Sequence, residues 1–374
     1  MNKIYYFDHS ATTSVDEEVL KEMIPFFTIS YGNPSSAYSI GRKNKMAIEH
    51  ARQQVAKAIH AKNKEIYFTG CGSESDNLAL KGIIHANSNK QKHIITSKIE
   101  HKAILNSCKT LEREGVEVTY LDVDSKGRIK LEDLKNAIKP STILISIMTA
   151  NNEIGTIQPI KQIGEIAKKN KILFHTDAVQ AIGNIKIDVN EMNIDLLSMS
   201  AHKFYGPKGV GALYVREGIE FLEIQDGGNQ EKGKRAGTEN VTGIVGLGKA
   251  IEIATENIDE YNSKLNELRK YCMNELKAKF NNIKFNGDLD NKLPGNISVS
   301  FIGKDSTEIL FKLDEYGICV SAGSACNTGN PNPSHVLTAI GLNSEESSGT
   351  IRISLGKENT KEEIDYLIET LKKI

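Results

Sequence analysis

Ser200-Ala201-His202-Lys203-Phe204-Tyr205-Gly206-Pro207-Lys208-Gly209 lies between two apolar runs, 196–199 and 210–215, each of which reads as a strand. A lysine at a strand end, beside small and hydroxyl residues, is placed for desolvation. Desolvation disfavours the ammonium form and lowers the pKa. A neutral lysine can form a Schiff base with an aldehyde. The same residues also fit a surface lysine ahead of a Gly-Pro turn. The rest of the chain has to decide between the two.

Upstream, short β-rich runs alternate with helical ones. Strands are expected at 65–69, 93–96, 116–121, 142–148, 172–175, 194–199 and 210–215, and helices at 74–85, 102–114, 131–138 and 159–169. Such alternation implies parallel pairing and a sheet covered on both faces. Ligands in such sheets sit at the carboxyl ends of the strands. Nearer the N-terminus, 16–27 and 41–60 have helical spacing and 31–36 is a turn cluster. Beyond residue 240 the character changes. Residues 244–279 read as one long charged helix, followed by strands at 297–301, 319–321 and 350–354 and helices at 306–316 and 361–373. The expectation is an α/β fold with a large domain over 15–250. A smaller α+β domain would be built from 1–14 and 251–374.

A chain of 374 residues has room for one large and one small domain. With 39% hydrophobic and 25% charged residues it has an ordinary globular composition. A net charge of −1 gives no basic field for nucleic acid or an anionic membrane. The first thirteen residues have no long apolar core and do not read as a signal peptide. No apolar run approaches the ~20 residues of a membrane helix. The expected location is cytoplasmic. The cysteines (Cys71, Cys108, Cys272, Cys319 and Cys326) are odd in number and contain no Cys-x-x-Cys pair. That speaks against a disulfide framework and a structural zinc site, and no metal is expected.

Four polar groups bear on the lysine. Gly70-Cys71-Gly72-Ser73 between a strand and a helix suits a phosphate, through open N–H groups and the helix dipole; a simple N-cap by Ser73 fits too. Asp177, ending an apolar strand, needs a partner. A protonated ring nitrogen would serve, as would an arginine from elsewhere. His101 at a strand-to-helix junction could stack on a ring or cap its helix. Asn151-Asn152 before Gly155 suggests a polar loop at another strand end. A phosphate cradle, an acid, a stacking group and a Schiff-base lysine together match the needs of pyridoxal 5′-phosphate.

Longer matches follow in order along the chain: Phe7-Asp-His-Ser-Ala-Thr-Thr13, Tyr31-Gly-Asn-Pro-Ser-Ser36, Ser73-Glu-Ser-Asp-Asn77, Glu100-His101-Lys102, Asn151-Asn-Glu-Ile-Gly155, His175-Thr-Asp-Ala-Val-Gln180, Ser200-Ala-His-Lys203, Arg235-Ala-Gly-Thr238, Ser321-Ala-Gly-Ser-Ala-Cys326 and Ile351-Arg-Ile-Ser-Leu-Gly356. On these the sequence resembles the cysteine desulfurases of the NifS/IscS type, in the class-V, fold-type I aminotransferase superfamily. The resemblance implies the pyridoxal-phosphate transferase fold type I, with a mostly parallel seven-stranded sheet in its large domain.

It also implies roles. Lys203 would carry the cofactor, Asp177 its ring nitrogen, and Gln180 and Asn151 its ring hydroxyl. His101 would stack on the ring, and Gly72, Ser73, Ser200 and His202 would bind the phosphate. Thr238 would reach the cofactor of the other subunit in a homodimer. Arg352, assisted by Asn33, would hold the carboxylate of L-cysteine. Cys326, in a loop of small residues, would take the sulfur as a persulfide, the thiolate being the attacking form. It would pass the sulfur to an acceptor such as an iron–sulfur scaffold or a tRNA-thiolation enzyme. A selenocysteine lyase or a transaminase of the same fold is the alternative, and a transaminase would not need Cys326. Where many relatives have Gly-Ala-Thr-Glu this chain has Cys71-Gly72-Ser73-Glu74, and the hydroxyl survives. Cys108, Cys272 and Cys319 read as packing residues, and Cys71 is ambiguous.

Overall fold

The computed structural model describes residues 3–88, 91–322 and 334–374. Its strands are β1 (Tyr5–Tyr6), β2 (Ile66–Thr69), β3 (His93–Ser97), β4 (Glu117–Leu121), β5 (Thr142–Ser146), β6 (Leu173–Asp177), β7 (Leu196–Ser200), β8 (Gly211–Val215), β9 (Ile283–Phe285), β10 (Asn296–Phe301), β11 (Ile318–Cys319), β12 (Ser321–Ala322) and β13 (Thr350–Ser354). Seven form one sheet in the order β2-β8-β7-β6-β5-β3-β4. All its neighbours pair parallel except β8, which runs against both β7 and β2. The reason lies in the connection. Parallel neighbours need a crossover of roughly a dozen or more residues, usually helical. Between β7 and β8 there is only the segment 201–210, which turns the chain back on itself.

Side chains alternate between the two faces of this sheet. Ile95, Ile145, Leu197 and Ala212 face one core with the helices Ser39–Ala58, Ile160–Lys169 and Val241–Glu256. Ile94, Leu144, Leu196 and Leu213 face the other, with Gly72–Ala86 and Lys102–Arg113. A third core holds the antiparallel sheet β12-β13-β10-β9 against the helices Ile258–Lys279, Ser306–Glu315 and Lys361–Leu371. Phe7 is part of that third core, and β1 pairs with β11.

Two expected elements divide. The stretch 244–279 is two helices, broken at Asn257 (φ −119°, ψ 35°). The Thr255 hydroxyl bonds back to the Ile251 carbonyl at 2.8 Å, a contact that bends helices. Asp259 and Glu260 then favour a new helix N-terminus. The strand expected at 319–321 is β11 and β12, which turn to different sheets at Val320.

The segment after Phe7 joins the two sheets. Ser354 N–H donates to the Phe7 carbonyl (2.7 Å), and Ser10 N–H to Ser354 Oγ (2.9 Å). Thr13 N–H donates to the His202 carbonyl (2.9 Å), and Tyr205 N–H to Thr13 Oγ1 (2.8 Å). Tyr205 is held at φ +63°, a conformation rare for an aromatic residue.

A buried ion pair fixes the approach to Thr238. Arg52, on Ser39–Ala58, donates to both oxygens of Glu231 at 2.8 and 2.9 Å, and Phe68 N–H in β2 donates to the same carboxylate at 2.9 Å. Removing Glu231 would leave the buried Arg52 only the exposed carboxylate of Glu49, at 3.1 Å from its Nε. Glu231→Gln is expected to destabilise the protein by about 3–5 kcal/mol, read as a lowered urea midpoint at unchanged slope.

Candidate active site

The carboxyl ends of β2, β3, β5, β6 and β7 open at one edge of the large sheet, and a cavity of about 330 Å³ lies there. That is room for a small molecule. Residues of the antiparallel sheet and the N-terminal segment close its other side, including Ser10, Ala11 and Arg352.

The helix Gly72–Ala86 starts at the cavity wall. Its N-cap is Cys71, not Ser73, and no side chain caps it. Ser73 is the second helical residue and lines the cavity with Gly72. A Cβ on Gly72 would lie 2.7 Å from Val179 Cγ2, so only glycine allows this approach. Ser200, the last residue of β7, has a buried hydroxyl with no hydrogen-bond partner. An orphaned hydroxyl facing an uncapped helix N-terminus suits a phosphate. His202 lines the same wall and shares a 3.1 Å hydrogen bond with Thr12 Oγ1. Burial, with Lys203 and Lys208 adding to it, pushes its imidazole down to about 4.

Asp177 ends β6, and its Oδ1 accepts from Val179 N–H at 2.9 Å. No arginine among the described residues pairs with it. Asp76, Asp177 and His101 bring ligating atoms within 4.8 Å of one another. Burial pushes Asp177 above the usual carboxylate range, opposed by His101 and Lys203. Asp76 is pushed up by burial and by the Asp177 charge. A protonated ring nitrogen is the kind of partner that would stabilise this acidic pair. His101 caps the helix Lys102–Arg113, its Nδ1 accepting from Ala103 N–H at 3.2 Å, and it also lines the cavity. The capping reading holds, and the ring stays within the cavity that the helix cap borders.

Lys203 projects into the cavity and donates from Nζ to the carbonyls of Ser10 (2.6 Å) and Ala11 (2.7 Å). Gln180 donates to the same Ser10 carbonyl at 2.9 Å. Opposite lies Arg352, 1% exposed in the middle of β13. It donates to Asp8 Oδ1 (2.7 Å) and the Asn152 carbonyl (3.0 Å), and its Nε is unbonded. The Phe7–Thr13 motif therefore supplies the arginine's counter-ion.

Not every expected residue arrives. Asn151 is buried and spent on its own loop: Nδ2 donates to Ile99 (2.8 Å), and Oδ1 accepts from Glu153 and Ile154 N–H (2.9 and 3.0 Å). Asn33 accepts from Ser35 N–H (2.9 Å) and does not line the cavity. Thr238 is exposed and lines a separate depression. Cys326 lies outside the described residues. Burial pushes the Cys108 and Cys272 thiols up to about 12, as inert packing residues require. Cys71 lines the cavity. Sequence reading missed Asp8, Asp76, Glu153 and His335. The first three sit inside quoted motifs, but their burial depends on the assembled fold.

The family described as aminotransferase class-V matches residues 5–367, and the chain belongs to it. Among its relatives is the cysteine desulfurase IscS of Clostridium botulinum (strain Hall), 56% identical over 100% of this chain and 95% of that protein. A solved NifS-like protein superposes with a TM-score of 0.94 at 42% identity, covering 99% of each chain. A structure described as SspA in complex with cysteine gives 0.85 at 42% identity, over 95% of this chain and 99% of that one. No helix among the described residues is long and apolar enough to cross a membrane.

Glu100 carries the His101 turn. It accepts from Ser97 Oγ (2.6 Å) and Met148 N–H (3.0 Å), and burial pushes it up to about 8. The folded chain keeps this proton where the unfolded chain has lost it, so stability falls as pH rises between the two values. Above pH ~6.5 unfolded histidines no longer oppose this trend, while Lys292, pushed down to about 7 by burial, opposes it from there upward and is the same in wild type and variant. Between pH ~6.5 and ~8 Glu100 should cost about 2 kcal/mol. Glu100→Gln should flatten that decline in urea unfolding of the cofactor-free protein.

Proposed function

We propose that this chain is a pyridoxal 5′-phosphate-dependent cysteine desulfurase. It would convert L-cysteine to L-alanine and leave the sulfur as a persulfide on Cys326. The observation that carries the reading is one cavity joining Lys203, Asp177, His101, the uncapped helix with the orphaned Ser200 hydroxyl, and Arg352. Relatives named cysteine desulfurase, matching the whole chain, support it.

When bound, the cofactor supplies an electron sink next to the substrate α-carbon. The chain's own groups do the rest. Gly72, Ser73, Ser200 and His202 would hold its phosphate. Asp177 would hold the ring nitrogen and His101 the ring face, and Gln180 and Asn151 would serve the ring hydroxyl. Lys203 anchors the cofactor and then moves the α-proton. The two carbonyls on its Nζ aim it. Arg352 holds the substrate carboxylate, and Asn33 would assist it only by leaving its bond with Ser35 N–H. The Cys326 thiolate attacks the substrate sulfur. The carbon–sulfur bond breaks with its electron pair going to carbon, and the sulfur stays on the enzyme.

We read 15–250 as the unit that holds the cofactor, and 1–14 with 251–374 as the unit that brings Arg352 and Cys326. A second copy completes the site through Thr238. Leu20, Ile24, Phe27, Ile29, Tyr31, Tyr38 and Met46 are exposed apolar groups close together in sequence, which suits a homodimer interface. The sulfur then passes to an acceptor protein in the cytoplasm, such as an iron–sulfur scaffold or a tRNA-thiolation enzyme.

Purified protein should be yellow and release sulfide from L-cysteine under reductant. Cys326→Ala should keep the colour while sulfide release falls to background. Full turnover in Cys326→Ala would overturn the persulfide route, and transamination of 2-oxo acids by that variant would favour a transaminase.

A further inference from the structure

The proposed reaction leaves one carboxyl group in the cavity unused. Glu153 follows β5 and lines the cavity with Lys203, His101 and Arg352. Its backbone cannot drift, because Asn151 Oδ1 accepts its N–H at 2.9 Å and Asn296 Nδ2 approaches its carbonyl at 3.5 Å. The residue as a whole is 2% exposed. Oε2 accepts the hydroxyl proton of Ser334, and Ser334 Oγ in turn accepts from Val336 N–H (3.1 Å), capping the helix His335–Ala339. Among the described residues Glu153 makes no ion pair. The nearby arginine is committed elsewhere. Arg352 pairs with Asp8 and with the carbonyl of Asn152, the residue just before Glu153.

The charge count at this end of the cavity is therefore tight. Arg352 is already neutralised by Asp8. An incoming amino acid adds a carboxylate. An ionised Glu153 would make a third negative group beside that guanidinium, with Lys102 and Lys203 the lysines that line the same cavity. We propose that Glu153 is a substrate-recognition residue: as the neutral acid it donates its proton to the α-carboxylate held by Arg352, and once ionised it repels that carboxylate. The inference rests on Arg352 being the carboxylate site of the proposed desulfurase.

The surroundings agree with this division of labour. Burial pushes Glu153 up to about 7, against the Ser334 hydroxyl, Arg352, Lys102 and His101, which all favour the anion. His335, on the helix that Ser334 caps, is itself held towards its neutral form by burial. At neutral pH both states of Glu153 are populated, so a ligand that needs the proton selects one of them.

The test is binding of the product L-alanine to the holoenzyme, followed by the shift of its visible absorption from pH 6 to 8. In the wild type the apparent dissociation constant should climb above pH ~7, approaching tenfold per unit, as it does for any ligand that binds one ionisation state. Glu153→Gln stays neutral and can still accept from Ser334. It should bind with no such climb, and its dissociation constant at pH 8 should lie below that of the wild type. Infrared titration of Glu100→Gln, which removes the other raised carboxyl of this range, should still show a protonated-carboxyl band that fades through it, and this readout does not depend on a Glu153 variant folding. A flat wild-type profile, or the same climb in Glu153→Gln, overturns the role of Glu153. Sulfide release from cysteine with either result leaves the desulfurase reading standing. A protein that takes up no pyridoxal 5′-phosphate overturns both.

Discussion

The parallel pairing of β6 with β7 is the constraint on which the site depends. It sets Asp177 opposite Ser198, so the acid at the end of one strand and the orphaned hydroxyl at the end of the next come to the same edge. The chain then turns back into β8 without a crossover, and Lys203 occupies that turn. A helix between β7 and β8 would have carried the lysine across a face of the sheet. The reversal of a single strand thus leaves the amine beside the acid and the anion cradle.

A second constraint is electrostatic. The cavity wall contains three acids raised by burial, Asp76, Asp177 and Glu153. It also contains a buried guanidinium already paired with Asp8. In low dielectric such groups cannot all ionise independently. Their order reflects the work proposed for each. The Asp76–Asp177 pair lies where a cationic ring nitrogen would stabilise it, and Arg352 keeps an unbonded Nε for an anion.

Much of this was legible in the residues. The alternation of apolar runs located each strand of the large sheet, because its inner strands are buried on both faces and have no polar alternation to hide them, and even the half-exposed edge strand β4 keeps β-branched and aromatic residues. Lys203, Asp177, His101 and Ser200 were found because each closes or follows such a strand. What was hidden depends on distance in the chain. Nothing local to Asp8 shows that it neutralises an arginine 344 residues away. Nothing local to Asn151 shows that its amide is consumed by Ile99 and by its own loop. The break at Asn257 was missed because charge and helical spacing continue across it. The hydroxyl of Thr255 and the acids after Ile258 were the available signals.

The stitch between Ser10 and Ser354 has a consequence for how the chain is made. These residues lie at opposite ends of the polypeptide, and the two carbonyls that receive Lys203 belong to the segment they fix. During synthesis the large sheet is complete long before β13 leaves the ribosome. Contacts of such sequence separation form late and slowly. Until then the segment that aims Lys203 is held by the large sheet's side alone, through His202, Tyr205 and Gln180. The hold that Ser354 places on the Phe7–Ser10 segment is therefore the last part of the lysine's surroundings to be assembled.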